Sequence, residues 1–235
     1  MTSSPAPFRI VFAIYPGMTH LDFTGPHQFL SRTPNSEVVV ASPAGGAVDA
    51  DGLTFANTKA LAGVEACDLI CVPGGVVATK MAQDAAFVGE IRRLGLQAKY
   101  ITSVCTGSLI LGAAGLLKGK RAACHWAWRD MLPLFGAIVG EGRVVRDGNV
   151  ITGGGVTAGI DFALTVLAEI AGEDTAKAIQ LGLEYAPAPP FNSGRPELAP
   201  PEVLARYQAA MQKLMPTRVA EAEAAAKMMR SPLAS

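Results

Sequence analysis

Short apolar runs alternate with stretches of helical spacing along most of the chain. A nearly continuous apolar run is typical of a strand that is covered on both faces of a sheet. Runs of this kind predict strands at residues 8–14, 37–42, 68–72 and 100–104. Apolar residues at helical spacing predict helices at residues 84–98, 158–171 and 173–183. This alternation predicts an α/β fold with a parallel sheet and helices on both faces, of the flavodoxin-like kind.

Less regular segments lie between these elements. Residues 18–30 predict a loop and a helix, and the Gly- and Asp-rich residues 44–57 predict a turn with a small hairpin. Residues 121–126 predict a short strand, followed by a helix from Trp126 toward Leu134. We expect residues 138–139 and 144–152 to form a pair of strands, with Asp147-Gly148 as the turn.

The character of the chain changes at Tyr185. The Pro-rich residues 186–196 predict an extended arm, and Pro200-Pro201 opens a helical region. We therefore expect an α/β domain over residues 1–184 and an extension over 185–235. The extension is expected to pack on its own domain or on a partner subunit.

Charge and composition exclude several function classes. Twenty basic and twenty acidic side chains give a net charge of zero, so neither a nucleic acid nor a membrane surface is predicted as a partner. Residues 1–7 lack the basic start and apolar run of a signal peptide, and no apolar stretch has the length of a membrane span. We expect a cytoplasmic protein.

The four cysteines are Cys67, Cys71, Cys105 and Cys124. No two have the C-x-x-C spacing of a zinc or redox pair, and a chain without an export signal is expected to keep them as reduced thiols. We interpret Cys67, Cys71 and Cys124 as packing residues and expect no metal site.

Cys105 is the candidate for chemistry. It follows the strand that starts at Tyr100 and precedes a helix, which is the geometry of a nucleophile elbow. The amide hydrogens and the dipole of that helix are expected to lower the thiol pKa. The alternative is a small buried cysteine that fills space behind a tight turn.

Several motifs, in this order, resemble the DJ-1/PfpI superfamily, which has the class I glutamine-amidotransferase-like fold. They are Tyr15-Pro16-Gly17, residues 21–26, Val72-Pro73-Gly74-Gly75, Val104-Cys105-Thr106-Gly107, His125-Trp126 and residues 152–155. The chain is most similar to the isonitrile hydratases of that superfamily, and the resemblance covers most of its length. Peptidase-like members carry His directly after the nucleophile, whereas this chain has Thr106, which disfavours a protease or deglycase.

The resemblance implies a cofactor-independent hydro-lyase that adds water to an isonitrile and acts as a homodimer. Cys105 is then the nucleophile that forms a thioimidate, and Asp22 supplies the proton to carbon. Thr106 hydrogen-bonds in the site, and the backbone amides of Gly74 and Gly75 bind substrate or a developing negative charge. The alternative for Asp22 is an N-cap of the first helix, whose depressed pKa would argue against a proton donor.

The histidines are left out of the predicted catalytic set. His125 follows the elbow helix, where related triad enzymes place a histidine, but its alternative is a partly buried ring that hydrogen-bonds near Trp126. His20 and His27 flank Asp22 and are interpreted as structural or solvent-facing.

Two other functions share the same fold. One is a DJ-1-like sensor in which Cys105 is oxidised to a sulfinic acid without hydratase turnover. The other is the sensing half of a transcription regulator, which requires a DNA-binding appendage. The residues after Pro200 are too few and too neutral for such an appendage.

Overall fold

The structure is a computed structural model that describes residues 6–231. Residues 1–5, on which most of the signal-peptide prediction depends, and residues 232–235 lie outside the described residues. Within residues 6–231, no helix is both long enough and apolar enough to span a membrane.

An eight-stranded, mostly parallel sheet forms the centre of the fold and confirms the predicted α/β class. The described residues form ten strands, of which β7 and β8 make a separate small sheet: β1 Phe8–Ala13, β2 Ser36–Ser42, β3 Gly46–Ala50, β4 Leu53–Ala60, β5 Leu69–Val72, β6 Tyr100–Val104, β7 Arg121–Ala122, β8 Ile138–Val139, β9 Val144–Asp147 and β10 Val150–Gly153. The sheet order is β3-β4-β2-β1-β5-β6-β10-β9. The central strands pair in parallel, and the outer strands β3 and β9 are antiparallel to their neighbours.

Eight α-helices and two 3₁₀ helices accompany the strands in the described range. They are α1 His20–Leu30, α2 Ala78–Met81, α3 Ala85–Gln97, α4 Gly107–Ala113, α5 Ala158–Ala171, α6 Glu173–Gly182, α7 Pro201–Gln212, α8 Met215–Arg230, and the 3₁₀ turns Leu61–Gly63 and Arg129–Phe135. Helix α5 has the predicted bounds. Helix α3 starts after Asp84, whose carboxylate accepts from the Phe87 amide at 3.0 Å and thereby caps it.

The segment between α4 and β9 differs from its prediction in two ways. Ile138–Val139 pairs in parallel with β7 in a separate small sheet, whereas the neighbour of β9 is β10, so the predicted pairing of 138–139 with 144–152 was wrong. In place of an α-helix from Trp126, a 3₁₀ helix starts at Arg129. Pro133 has no amide hydrogen for an α-helical bond, and Gly136 ends the turn in the left-handed region with φ 75°.

The C-terminal extension lies against the α/β domain of its own chain. The Tyr185 ring packs on Phe29 at a centroid distance of 5.9 Å, and its hydroxyl donates to Asp161 at 2.9 Å. Helix α8 buries three alanines, Ala222, Ala225 and Ala226. Helix α8 packs against α2 and α4 of this domain.

The carboxyl ends of β1, β5 and β6 meet at one edge of the sheet. In open α/β sheets, ligands bind outside the carboxyl ends of the strands. Helix α4 leaves this edge directly after β6 and is buried over its whole length. This edge is therefore where the functional site is expected.

Candidate active site

Cys105 occupies the sharp turn between β6 and α4. Its φ of 58° lies in the left-handed region, which is unusual for a residue other than glycine. The strained turn is held because the Cys105 amide donates to the carbonyl oxygens of Gly153 at 3.0 Å and Gly154 at 2.8 Å. A Cβ at Gly107 would overlap the Val72 carbonyl, so the turn also needs glycine there. This is the geometry of the predicted elbow.

Asp22 lies in the first turn of α1 and is fully buried. Its Oδ2 accepts from the Gly74 amide at 3.0 Å, while Oδ1 is buried without a hydrogen-bond partner within the described residues. The N-cap of α1 is Thr19, and the amide that bonds the Asp22 carboxylate belongs to the loop after β5 and not to α1. The alternative interpretation of Asp22 as an N-cap is therefore wrong.

The Asp22 carboxyl and the Cys105 thiol lie close enough together that each shifts the pKa of the other. Burial raises the pKa of Asp22 to about 7, against the lowering effects of the nearby Cys105 thiol and of the Gly74 hydrogen bond. Burial, the Asp22 charge and Cys124 raise the pKa of Cys105 well above its usual value, although the Thr106 amide lowers it. The predicted lowering of the Cys105 pKa was wrong, because one helix amide does not offset desolvation beside a carboxylate.

Thr106 connects the elbow to the loop after β5. Its buried Oγ1 accepts from the Gly75 amide and donates to the Gly75 carbonyl, both at 2.8 Å. A Cβ at Gly74 would come within 2.5 Å of the Thr106 amide nitrogen and 2.8 Å of Asp22 Oδ2. The loop therefore requires glycine for its close approach. The Gly74 and Gly75 amides, predicted to bind substrate, donate instead to Asp22 and Thr106.

Two tyrosines near the site were not predicted. Tyr15, fully buried, donates its hydroxyl to the Pro73 carbonyl at 3.0 Å, and burial, together with the charges of Asp22 and Cys105, raises its pKa. Tyr207 of α7 packs on Trp126 with ring centroids 5.2 Å apart, and burial and the charge of Cys105 raise its pKa. Tyr207 is far from Cys105 along the chain, and no local pattern marks it.

His125 and His27 are partly buried and contact aromatic rings. His125 stacks on Trp126 at 5.8 Å, and its Nδ1 accepts from the Ala127 amide at 3.2 Å. Burial lowers the pKa of both His125 and His27, which favours the neutral form of each ring. Across residues 6–231, no group of three or more His, Cys, Asp or Glu side chains is placed to hold a metal ion.

The Cys105 side chain is nearly enclosed, with 4% of the residue exposed. An open cavity of about 590 Å³ lies on the surface near α7, lined in part by Trp126, Met211 and Met215. Cys105 is not among its lining residues. Trp126 of this lining packs on Tyr207, whose pKa the charge of Cys105 helps to raise.

The comparisons with known proteins agree with this geometry. The DJ-1/PfpI family model matches residues 8–169. A Pseudomonas putida protein named isonitrile hydratase is 48% identical over 223 residues, covering 94% of this chain and 97% of that protein.

Solved structures extend the likeness to three dimensions. The crystal structure of a ThiJ/PfpI family protein from Pseudomonas syringae is 41% identical, with a TM-score of 0.86 over 96% of this chain and 94% of that one. The oxidized DJ-1 of Toxoplasma gondii is 27% identical, with a TM-score of 0.68 over 77% of this chain and 100% of that one. The chain belongs to the DJ-1/PfpI family.

Proposed function

We propose that this protein is a cofactor-independent isonitrile hydratase that converts R–N≡C and water into the N-substituted formamide. The observation that carries the proposal is the buried pair of the Cys105 thiol and the Asp22 carboxyl. The near full-length identity to the Pseudomonas putida isonitrile hydratase supports the same chemistry. The thiol is a nucleophile and the carboxyl a proton donor, and both must act on one carbon.

The first half of the reaction joins sulfur to carbon. With one proton shared by the pair, the thiol proton passes to the Asp22 carboxylate, and the thiolate attacks the terminal carbon of the isonitrile. Asp22 then delivers that proton to the same carbon, which leaves a covalent thioimidate, R–N=CH–S–Cys105, and an ionised Asp22. Oδ1 of Asp22 is the oxygen assigned to this transfer, because Oδ2 is bound to the Gly74 amide.

The second half releases the sulfur. Ionised Asp22 takes a proton from water while the hydroxide attacks the thioimidate carbon, and Asp22 then returns the proton to nitrogen. The resulting R–NH–CH(OH)–S–Cys105 collapses: the C–S bond breaks, the hydroxyl proton returns to Asp22, and the formamide R–NH–CHO leaves. Thiolate and carboxylic acid are restored, so the cycle consumes one isonitrile and one water.

The neighbouring groups hold this pair in place. The Thr106 amide approaches the sulfur and stabilises its negative charge. The Thr106 hydroxyl bonds the Gly75 backbone, and the Gly74 amide bonds Asp22. We assign Gly74 and Gly75 the role of orienting Asp22 and Thr106, in place of the direct substrate contact expected from the sequence.

The test is incubation with alkyl and aryl isonitriles, with formamide detected by NMR. In D₂O the formyl position of the product should carry deuterium, because the proton on carbon comes from the exchangeable Asp22 carboxyl. Cys105→Ala should reduce turnover to the uncatalysed level. Wild-type turnover by Cys105→Ala would rule out the proposal, and absence of turnover with stoichiometric peroxide oxidation of Cys105 would favour the DJ-1-like sensor.

We further propose a homodimer that acts in the reducing cytoplasm. The extension and the end of α6 present exposed apolar side chains, among them Phe191 at 79% and Leu181 at 82% exposure, which a second copy would cover. The four free cysteines suit a reducing compartment. Sedimentation of the full chain tests the assembly, and a monomer at micromolar concentration would contradict it.

A further inference from the structure

Helix α8 holds the loop of the candidate site from outside the family domain. Glu221 on α8 accepts a hydrogen bond from the Thr79 hydroxyl at 2.6 Å and pairs with Arg218 at 2.9 Å. Arg218 in turn donates to the Val76 carbonyl at 3.4 Å. Thr79 is 1% exposed, and the Arg218 and Glu221 side chains are 15% and 18% exposed. These polar groups are therefore largely removed from water. Hydrogen bonds and ion pairs are stronger in such a buried environment than on an open surface.

The segment that α8 contacts, Val76 and Thr79, directly follows Gly74 and Gly75 along the chain. Val76 directly follows Gly75, and the Ala78 amide at the start of α2 donates to the Gly75 carbonyl at 3.0 Å. Gly75 is bonded to Thr106 through both its amide and its carbonyl, and Gly74 is bonded to Asp22. A displacement of Val76 or Thr79 is thus transmitted through Gly75 to Thr106 and through Gly74 to Asp22.

The contact comes from a part of the chain that the family model does not cover. That match ends at residue 169, whereas α8 spans Met215–Arg230. Helix α8 therefore has a means of acting on the site that does not require it to touch a substrate.

We propose that Glu221 is a positioning residue of the active site, which acts through Thr79 to fix the Gly74–Gly75 loop against Asp22 and Thr106. Only the turnover part of its test rests on the proposed function. The reactivity of the Cys105 thiol reports on the same geometry without any isonitrile.

Loosening the loop has a predictable electrostatic sign. The Gly74 amide lowers the Asp22 pKa, so a longer bond from Gly74 raises it. The other titratable groups that interact with Asp22 are Cys105, Asp51, Tyr15, Cys71 and Cys124. None of these is changed by a substitution at Glu221 or Thr79, so a shift in the pH profile reports the loop.

The experiment compares Glu221→Gln and Thr79→Val with two controls. Glu223→Gln makes the same change at an exposed position of α8, and Thr79→Ser keeps the hydroxyl. Circular dichroism establishes that each variant is folded. The rate of Cys105 alkylation by iodoacetamide is then followed against pH by peptide mass spectrometry, and kcat and KM are measured with an isonitrile.

We expect Glu221→Gln and Thr79→Val to move the alkylation midpoint upward by about half a pH unit or more. They should also lower kcat about tenfold, less than the roughly hundredfold cost of a 1 Å misplacement, with KM little changed. Glu223→Gln and Thr79→Ser should match the wild type. If Glu221→Gln does not fold, the Thr79→Val variant alone tests the proposal.

A folded Thr79→Val variant with the wild-type alkylation profile overturns the proposal. A Thr79→Ser variant whose alkylation midpoint shifts as much as that of Thr79→Val also overturns it. If the wild type does not hydrate isonitriles, the proposed function fails, while the alkylation profiles still decide the role of Glu221.

Discussion

Asp22 and Cys105 share a buried site, and in the proposed mechanism the number of protons on the pair decides whether it reacts. Burial makes either charge costly, so the pKa values of both groups are raised. With both groups protonated, the thiol has no base to receive its proton. The reactive state holds one proton, and it forms when Asp22 ionises.

This predicts the pH dependence of turnover. Because the Asp22 pKa is raised to about 7, kcat/KM with an isonitrile should fall about tenfold per unit as pH drops below about 7. Above that pH it should level off, since the Cys105 pKa lies well above its usual value. Initial rates between about pH 5 and pH 9 check this, and a flat profile across that range would contradict it.

Asp22→Asn should lose turnover and gain stability at alkaline pH. Because the folded protein holds the Asp22 proton more tightly than the unfolded chain, the contribution of Asp22 to stability is full below the ordinary carboxyl pKa and is lost as pH rises toward about 7. Asn carries no charge at any pH. At pH 8 the variant should be more stable by on the order of 4 kcal/mol, because raising a pKa from 3.8 to about 7 costs about 1.4 kcal/mol per pH unit.

Urea unfolding at pH 8 and at pH 4 measures this effect. The difference between Asp22→Asn and the wild type should be large at pH 8 and small at pH 4. An equal difference at both values would mean that Asp22 is not desolvated in the folded protein.

The elbow depends on a close approach between β5 and the start of α4. A Cβ at Gly107 would overlap the Val72 carbonyl and lie 2.8 Å from the Pro73 carbonyl. Gly107→Ala should therefore cost about 1–3 kcal/mol, as overpacking does, and should displace Cys105 and reduce turnover. The matched control is Gly89→Ala in α3, where an added Cβ meets nothing within 4 Å and should stabilise the helix. Denaturant midpoints and turnover of both variants check the prediction, and equal effects would contradict it.

At the scale of the whole molecule, the C-terminal extension packs on the α/β domain through α8. Ala226 on α8 is 2% exposed, whereas Ala220 on the same helix is exposed. Ala226→Glu places a charge in an apolar contact and should lower the unfolding free energy by about 2 kcal/mol or more, while Ala220→Glu should change little. Urea unfolding followed by circular dichroism measures both. Equal midpoints would show that α8 unfolds independently of the domain.

The α/β class and most of its elements could be predicted because their signals are local. Buried strands are continuous apolar runs, and α5 begins and ends where its pattern does. The small sheet of β7 and β8 could not be predicted in this way, because its two strands are separated by a Pro-containing 3₁₀ turn and pair across it.

The identity of the candidate residues was within reach of the sequence alone. Cys105 stands between a strand and a helix, and Asp22, Thr106 and the Gly74-Gly75 pair stand in motifs that resemble a known family. These features depend on the order of residues along a few short segments. That order can be recognised without knowing which segments the fold brings into contact.

The charge state of the site was decided by the tertiary structure. The helix at Cys105 predicted a lowered thiol pKa, but burial and the neighbouring Asp22 raise it. The approach of Tyr207 and the contact of Glu221 with Thr79 likewise join segments that are remote along the chain. Desolvation and Coulombic energy depend on distances in space, which the folded chain sets and a linear pattern does not contain.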